Sequence, residues 1–350
     1  MKPRLLGSIA TAATLFAVLL LMPHTAAAQA GRGAPPAGGP PPAAAAAPTP
    51  VVYPPYTRPV TTYVPPRTPD GQPDISGLYV AIPLPRGIET PLGGPPVGRG
   101  GNRAGGEYSY SLNERPKLPE GAVVRPAVVD PANGKIPLQP SALEKRREII
   151  AHQDKIENLD GRVLCLAPGI PRTTIPAPVV GYQIMQKPGY VVIFYEQSHL
   201  YRAIPLDGRP PLDPNIRKAM GVSRGHWEGN VLVVEVTNFT NNFTNDWVIG
   251  AASAATGVPS DSLASGHGIS HSDVYRVTER YTPTSVDTIH YEATINDAKV
   301  FTQPWTIAFY AFQRAPKDYV PVEYACFEGN EKNLQLMVDT DISRIRVDVP

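Results

Sequence analysis

The chain has 350 residues, and its 32 Lys and Arg nearly cancel 31 Asp and Glu, leaving a formal net charge of +1. With no basic stripe or cluster, that balance argues against nucleic acid as a partner. After the first apolar run, no stretch is long enough to span a bilayer as a helix.

The N-terminus reads as a secretory leader. Lys2 and Arg4 precede an uncharged apolar run from Leu5 to Met22, and Ala28-Gln29-Ala30 is an A-x-A cleavage pattern. Residues 1–30 are therefore expected to be a signal peptide, with export to the periplasm or beyond. Residues 31–66 are mostly Ala, Pro and Gly, with a few Thr, Val and Tyr. They read as an extended linker, because such a segment buries too little apolar surface to offset its ordering entropy. Residues 67–350 are then expected to form a single β-rich domain.

Within that domain, Arg67-Thr68-Pro69-Asp70-Gly71-Gln72-Pro73-Asp74 has turn chemistry, and a first strand is expected over Ile75–Ile82. One helix is expected next. Ser141 and Glu144 form an S-x-x-E capping box, and Ile149, His152, Ile156 and Leu159 fall along one face before Asp160-Gly161. From Val179 the pattern changes to alternation. Strands are expected at 179–186, 190–196, 200–204, 221–227, 231–238, 273–282, 288–295, 305–313 and 319–326. Glu228-Gly229-Asn230 reads as a hairpin turn.

So many short strands with one helix predict an all-β antiparallel meander. A closed, lipocalin-like barrel is preferred over a sandwich because closure leaves no exposed edge strand. Residues 239–270, rich in Ala, Ser, Gly, Thr and Asn, interrupt the alternation as a long lid-like loop.

Strand phase supplies the candidate site. Glu279 shares a face with Tyr275, Val277 and Tyr281; Glu196 with Val192 and Phe194; Arg202 with Leu200 and Ile204. These strands are expected to direct two carboxylates and an arginine into one cavity. The catalytic candidates are thus Glu279, Glu196 and Arg202, with His271 as a proton-transfer residue. The alternative is a buried ion pair that fixes register. His199, Tyr275, His226, Trp227, Asp207 and Arg209 are candidate ligand-contacting residues near the cavity mouth.

His267 and His271 are four apart, but Gly266 and Gly268 argue against a helix. A zinc site with Asp261 or Asp273 is the alternative, and no metal or cofactor is assigned. Cys165 and Cys326 are the two cysteines. In an oxidising compartment they most simply pair, two buried thiols being the alternative. There is no phosphate loop or Rossmann fingerprint.

The chain resembles a widespread family of uncharacterised secreted bacterial proteins, common in acidobacteria and proteobacteria. The resemblance covers nearly all of residues 67–350. It rests on the 67–74 segment, Cys165 with Pro168-Gly169-Ile170-Pro171-Arg172, and Arg202 with Asp207-Gly208-Arg209. It continues through Trp227-Glu228-Gly229-Asn230, Ser270-His271-Ser272-Asp273, Glu279-Arg280, Pro304-Trp305 and Glu323-Tyr324-Ala325-Cys326. It implies that both cysteines belong to the family pattern, as a bridge. Where the family reads Trp-Leu-Asp, this chain has Trp247-Val248-Ile249, followed by an inserted-looking Ala/Ser-rich stretch.

The expected function is cofactor-independent acid/base chemistry by an exported enzyme (lyase, isomerase or hydrolase) on a small aromatic or apolar substrate. A periplasmic carrier of a lipophilic molecule is the first alternative, and an envelope interaction protein the second.

Overall fold

The computed structural model describes residues 53–81, 88–89, 125–152, 155–159, 164–175, 181–210, 212–240, 247–249, 268–321, 323–328 and 330–339. The expected signal peptide, His267, Asp261 and most of the lid-like loop lie outside the described residues.

In chain order the elements are β1 (Gly77–Ala81), β2 (Val128–Asp130), α1 (Pro140–Ala151), β3 (Gly181–Lys187), β4 (Tyr190–Tyr195), β5 (Leu200–Pro205), β6 (Val222–Glu228), β7 (Val231–Thr237), β8 (Trp247–Ile249), β9 (Ile269–Ser270), β10 (Arg276–Pro283), β11 (Thr288–Asn296), β12 (Trp305–Arg314) and α2 (Glu331–Asp339). Ten strands form one sheet, ordered β5-β4-β3-β1-β12-β11-β10-β7-β6, with β2 added on β12. Its pairings are antiparallel, and the sheet curls into a nearly closed barrel. The strands β8 and β9 pair separately.

Closure brings β5 beside β6. Gly225 makes the approach possible: a Cβ there would stand 2.7 Å from Ile204 Cγ2 and 2.8 Å from Leu206 Cδ2. A side chain is crossed between these two strands where other neighbours exchange backbone bonds, since Arg202 Nε donates to Ser223 Oγ at 2.7 Å.

Alternation explains the core. Val191, Ile193 and Tyr195 of β4, Ile204 of β5, Val277 and Tyr281 of β10, and Tyr291, Ala293 and Ile295 of β11 are buried in one cluster. Burying each large apolar side chain contributes about 1.5–3 kcal/mol. A smaller cluster of Ile156, Leu159 and Leu164 receives Leu336 and Met337 from α2. Beside it Cys165 and Cys326 are joined in a disulfide.

Three expectations are corrected. Ser141 does not cap α1: Gln139 occupies the N-cap without a side-chain bond, and Pro140 opens the helix. Proline's fixed φ suits the first helical position, where its missing N–H is not needed. The helix also stops at Ala151, leaving His152 exposed, and Ile156–Asn158 form a separate 3-10 turn. Finally, the described residues of 319–326 form turns and irregular chain instead of a strand. Pro316 and Pro321 lack the N–H a ladder requires.

The last part of the expected linker lies against the sheet. Over residues 53–60 the half-buried positions are Tyr53, Tyr56 and Pro59, a three-residue recurrence that matches polyproline II. The Tyr53 N–H donates to Ala132 O at 2.9 Å, Arg58 Nε to Glu292 Oε1 at 3.1 Å, and Arg67 Nη2 to Asn230 Oδ1 at 3.1 Å. This strap covers the outer face of β11, which is why His290 and Glu292 are buried although they point away from the barrel interior.

Among the described residues, no helix is long and apolar enough to cross a membrane.

Candidate functional site

The strands β10 and β11 are regular, so their register fixes which side chains meet. Glu279 lies opposite Ala293, whose small side chain leaves room, and Tyr281 lies opposite Tyr291. Both tyrosine hydroxyls donate to Glu279 Oε1, at 3.0 Å and 2.9 Å. From across the seam, Arg202 Nη2 donates to Glu279 Oε2. Glu279 is fully buried and Arg202 is 4 % exposed, so this ion pair stands in the barrel interior.

Electrostatics set the protonation states. Burial, the largest single influence, would lower the Arg202 pKa, but the charge and hydrogen bond of Glu279 together with Tyr195 and Tyr281 outweigh it, and the net shift is upward. Burial, reinforced by Glu279, pushes the Tyr281 and Tyr291 phenols well above their ordinary value. All of them are therefore donors at neutral pH. Glu279 receives three hydrogen bonds, against about four lone-pair positions on a carboxylate. It is engaged in holding Arg202 and the two tyrosines.

Near the pair, three polar atoms are buried without a hydrogen-bond partner: Arg202 Nη1, Tyr195 OH and Thr174 Oγ1. Arg202 and Tyr195 point inward from neighbouring strands, where Tyr195 pairs with Leu200 and Arg202 with Ile193. Thr174 belongs to the turn after Cys165. Its carbonyl accepts from Tyr182 OH at 3.5 Å, and the Tyr182 ring meets that of Tyr195 edge-on at 5.6 Å. Thr174 and Arg202 both act on the Tyr195 hydroxyl, whose pKa burial raises, yet neither reaches it with hydrogen-bond geometry.

Of the catalytic candidates, Glu279 and Arg202 are thus brought together. Glu196 is not. In β4 the inward residues are Val191, Ile193 and Tyr195, whereas Val192 and Phe194 are half-buried on the other face. Glu196 follows the strand in helical conformation, and its Oε2 accepts from the Gly181 N–H at 2.5 Å and from Tyr319 OH. It ties the C-terminal segment to the start of β3. Tyr190–Tyr195 is apolar on both faces, so alternation could not give its phase.

His271 is buried, but against aromatics: its ring stacks on Tyr275 at 4.3 Å and meets Phe239 edge-on at 5.6 Å. The Tyr275 hydroxyl donates to Ile170 O at 3.0 Å, anchoring the 164–175 turn. Neighbouring Ser272 is held by the Asp297 carboxylate through its N–H (2.6 Å) and hydroxyl (2.8 Å).

The mouth candidates scatter. His199 Nε2 accepts from the Tyr324 N–H at 3.0 Å, a bond that again secures the C-terminal segment. His226 is exposed and pairs with Glu228, which also binds Arg280 on the outer face. Trp227 packs on the core. Asp207 and Arg209 pair within an exposed turn, and Arg209 lowers the Asp207 pKa through their hydrogen bond. Asp273 is exposed and paired with Lys299 at 2.8 Å. Among the described residues, no group of three or more His, Cys, Asp or Glu is placed to hold a metal ion.

Sequence reasoning missed Tyr195, Thr174, Ser223 and Tyr291. Tyr291 was within reach, because it alternates with Ala293 and Ile295. Thr174 carries no periodic signal, since it lies on a turn.

Comparison with known proteins leaves this geometry as the ground for any functional reading: no family model, no curated protein and no solved structure matches the chain.

Proposed function

We propose that the chain is an exported, small-molecule-binding barrel, a carrier whose interior takes a small aromatic or apolar ligand. The observation that carries this reading is the Arg202–Glu279 pair buried among tyrosines inside the barrel. Such a pair is weak support for stability, because well-packed apolar residues often replace one without loss. Ligand pockets, by contrast, are apolar and aromatic walls around a few convergent polar groups. The Cys165–Cys326 bridge supports an oxidising compartment, consistent with the leader-like N-terminus.

Acid/base catalysis is the second reading. It is favoured by the buried, protonated Tyr195 hydroxyl close to Arg202, two donors suited to polarising a substrate carbonyl. Glu279 then positions Arg202, because its own oxygens are occupied.

Native mass spectrometry of the protein purified from a bacterial periplasm tests both. A co-purifying organic molecule that is released unchanged after incubation supports the carrier, and conversion of that molecule supports the enzyme. Protein that is uniformly empty, and whose unfolding midpoint no small aromatic compound raises, would overturn both and leave the envelope-interaction reading.

A further inference from the structure

Arg202 Nη1, Tyr195 OH and Thr174 Oγ1 are each buried and each lack a partner. A buried polar group left unsatisfied costs about 1–3 kcal/mol, so three in one neighbourhood are a substantial local penalty. The penalty is removed by one acceptor atom placed among them. The surroundings are aromatic: Tyr182 and Tyr195 meet edge-on, Phe312 lies 4.8 Å from Tyr182, and Tyr281 lies 5.7 Å from Phe312.

Charge decides the kind of acceptor. The guanidinium of Arg202 is already neutralised by Glu279. A carboxylate or phosphate would bring a second, uncompensated negative charge into the core, which is costly. A carbonyl oxygen accepts the same donors and brings no charge.

We propose that Arg202 Nη1, Tyr195 OH and Thr174 Oγ1 form a binding site for the carbonyl oxygen of a neutral, otherwise apolar or aromatic molecule: a ketone, ester, lactone or amide. The proposal rests on the small-molecule reading above and deepens it. The three atoms are closed off from solvent, so entry requires parting of the β5–β6 seam, where the ordered sheet ends and Arg202 meets Ser223.

The test compares three probes of similar shape, acetophenone, ethylbenzene and benzoate, by ligand-observed NMR titration of the full chain and of Tyr195→Phe. That substitution removes only a hydroxyl without a partner, so its urea midpoint should be no lower than that of the unsubstituted protein. Acetophenone should bind more tightly than ethylbenzene and benzoate. Tyr195→Phe should weaken acetophenone by about tenfold, the worth of one buried hydrogen bond, and leave ethylbenzene unchanged. Equal binding of acetophenone and ethylbenzene in both proteins would overturn the carbonyl site while leaving the small-molecule reading standing. Tighter binding of benzoate than of acetophenone would overturn the neutral-carbonyl class. Failure of all three probes to bind would overturn the site and the small-molecule reading together.

Discussion

Replacing Glu279 with Gln isolates the charge on the buried pair. The Gln oxygen can still accept from Tyr281 and Tyr291, which now donate at 3.0 Å and 2.9 Å, so those bonds survive. Arg202, only 4 % exposed, loses its counter-charge and cannot deprotonate. Breaking a buried pair in this way costs about 3–5 kcal/mol. Against a typical domain stability of about 5–15 kcal/mol, Glu279→Gln should be folded but marginal. Glu279→Leu should be worse, because two tyrosine hydroxyls are orphaned as well, at about 1–3 kcal/mol each.

The reverse substitution should cost less. In Arg202→Gln the carboxylate keeps both tyrosine donors, and no buried cation is left without a counter-charge. The double variant Arg202→Gln/Glu279→Gln removes both charges and should be more stable than Glu279→Gln alone. Urea unfolding at pH 7 without reductant, followed by aromatic fluorescence, gives all four corners of the cycle. A Glu279→Gln loss below about 1 kcal/mol would refute the account of the pair. So would a double variant less stable than either single one.

Two further outcomes are expected. Burial under the strap pulls His290 from 6.5 down to about 4, with Tyr56 stacked on its ring and the Glu292–Arg58 pair on the same face. The unfolded chain therefore binds the proton first: stability is full above pH 6.5 and is lost as pH falls toward about 4, by about 3 kcal/mol in all. Urea midpoints measured across that window should fall for the unsubstituted protein and fall less for His290→Leu; parallel curves would contradict the assignment. Separately, the Cys165–Cys326 bridge spans 161 residues. Changing both cysteines to Ser should cost about 5 kcal/mol at most in the chain-entropy model, read as a lower urea midpoint matched by the reduced unsubstituted protein.

The strand-rich half of the fold was legible because alternation has a fixed period and short turns punctuate it. From Gly181 to Arg314, each of the eight strands of the main sheet coincides with an expected one, with ends differing by at most three residues. Glu279 could be placed inward because Val277 and Tyr281 flank it on a strand whose other face is more polar. The strap was illegible: a Pro-rich stretch reads as linker from composition, and only docking on β11 shows that its tyrosines and Arg58 are anchors.

The sequence by itself therefore determined the antiparallel β class, the cysteines available for a bridge and the inward phase of Glu279 and Arg202, since each is set by local periodicity or composition. Tertiary structure alone decided that these two residues form a pair, that Glu196 and His199 secure the C-terminal segment, and that Tyr195, Thr174 and Arg202 share one unsatisfied polar neighbourhood. The first depends on barrel closure, which brings β5 beside β6, and the others on how the C-terminal segment and the 164–175 turn pack against the sheet. Residues distant in the chain become neighbours there, and no local pattern encodes that distance.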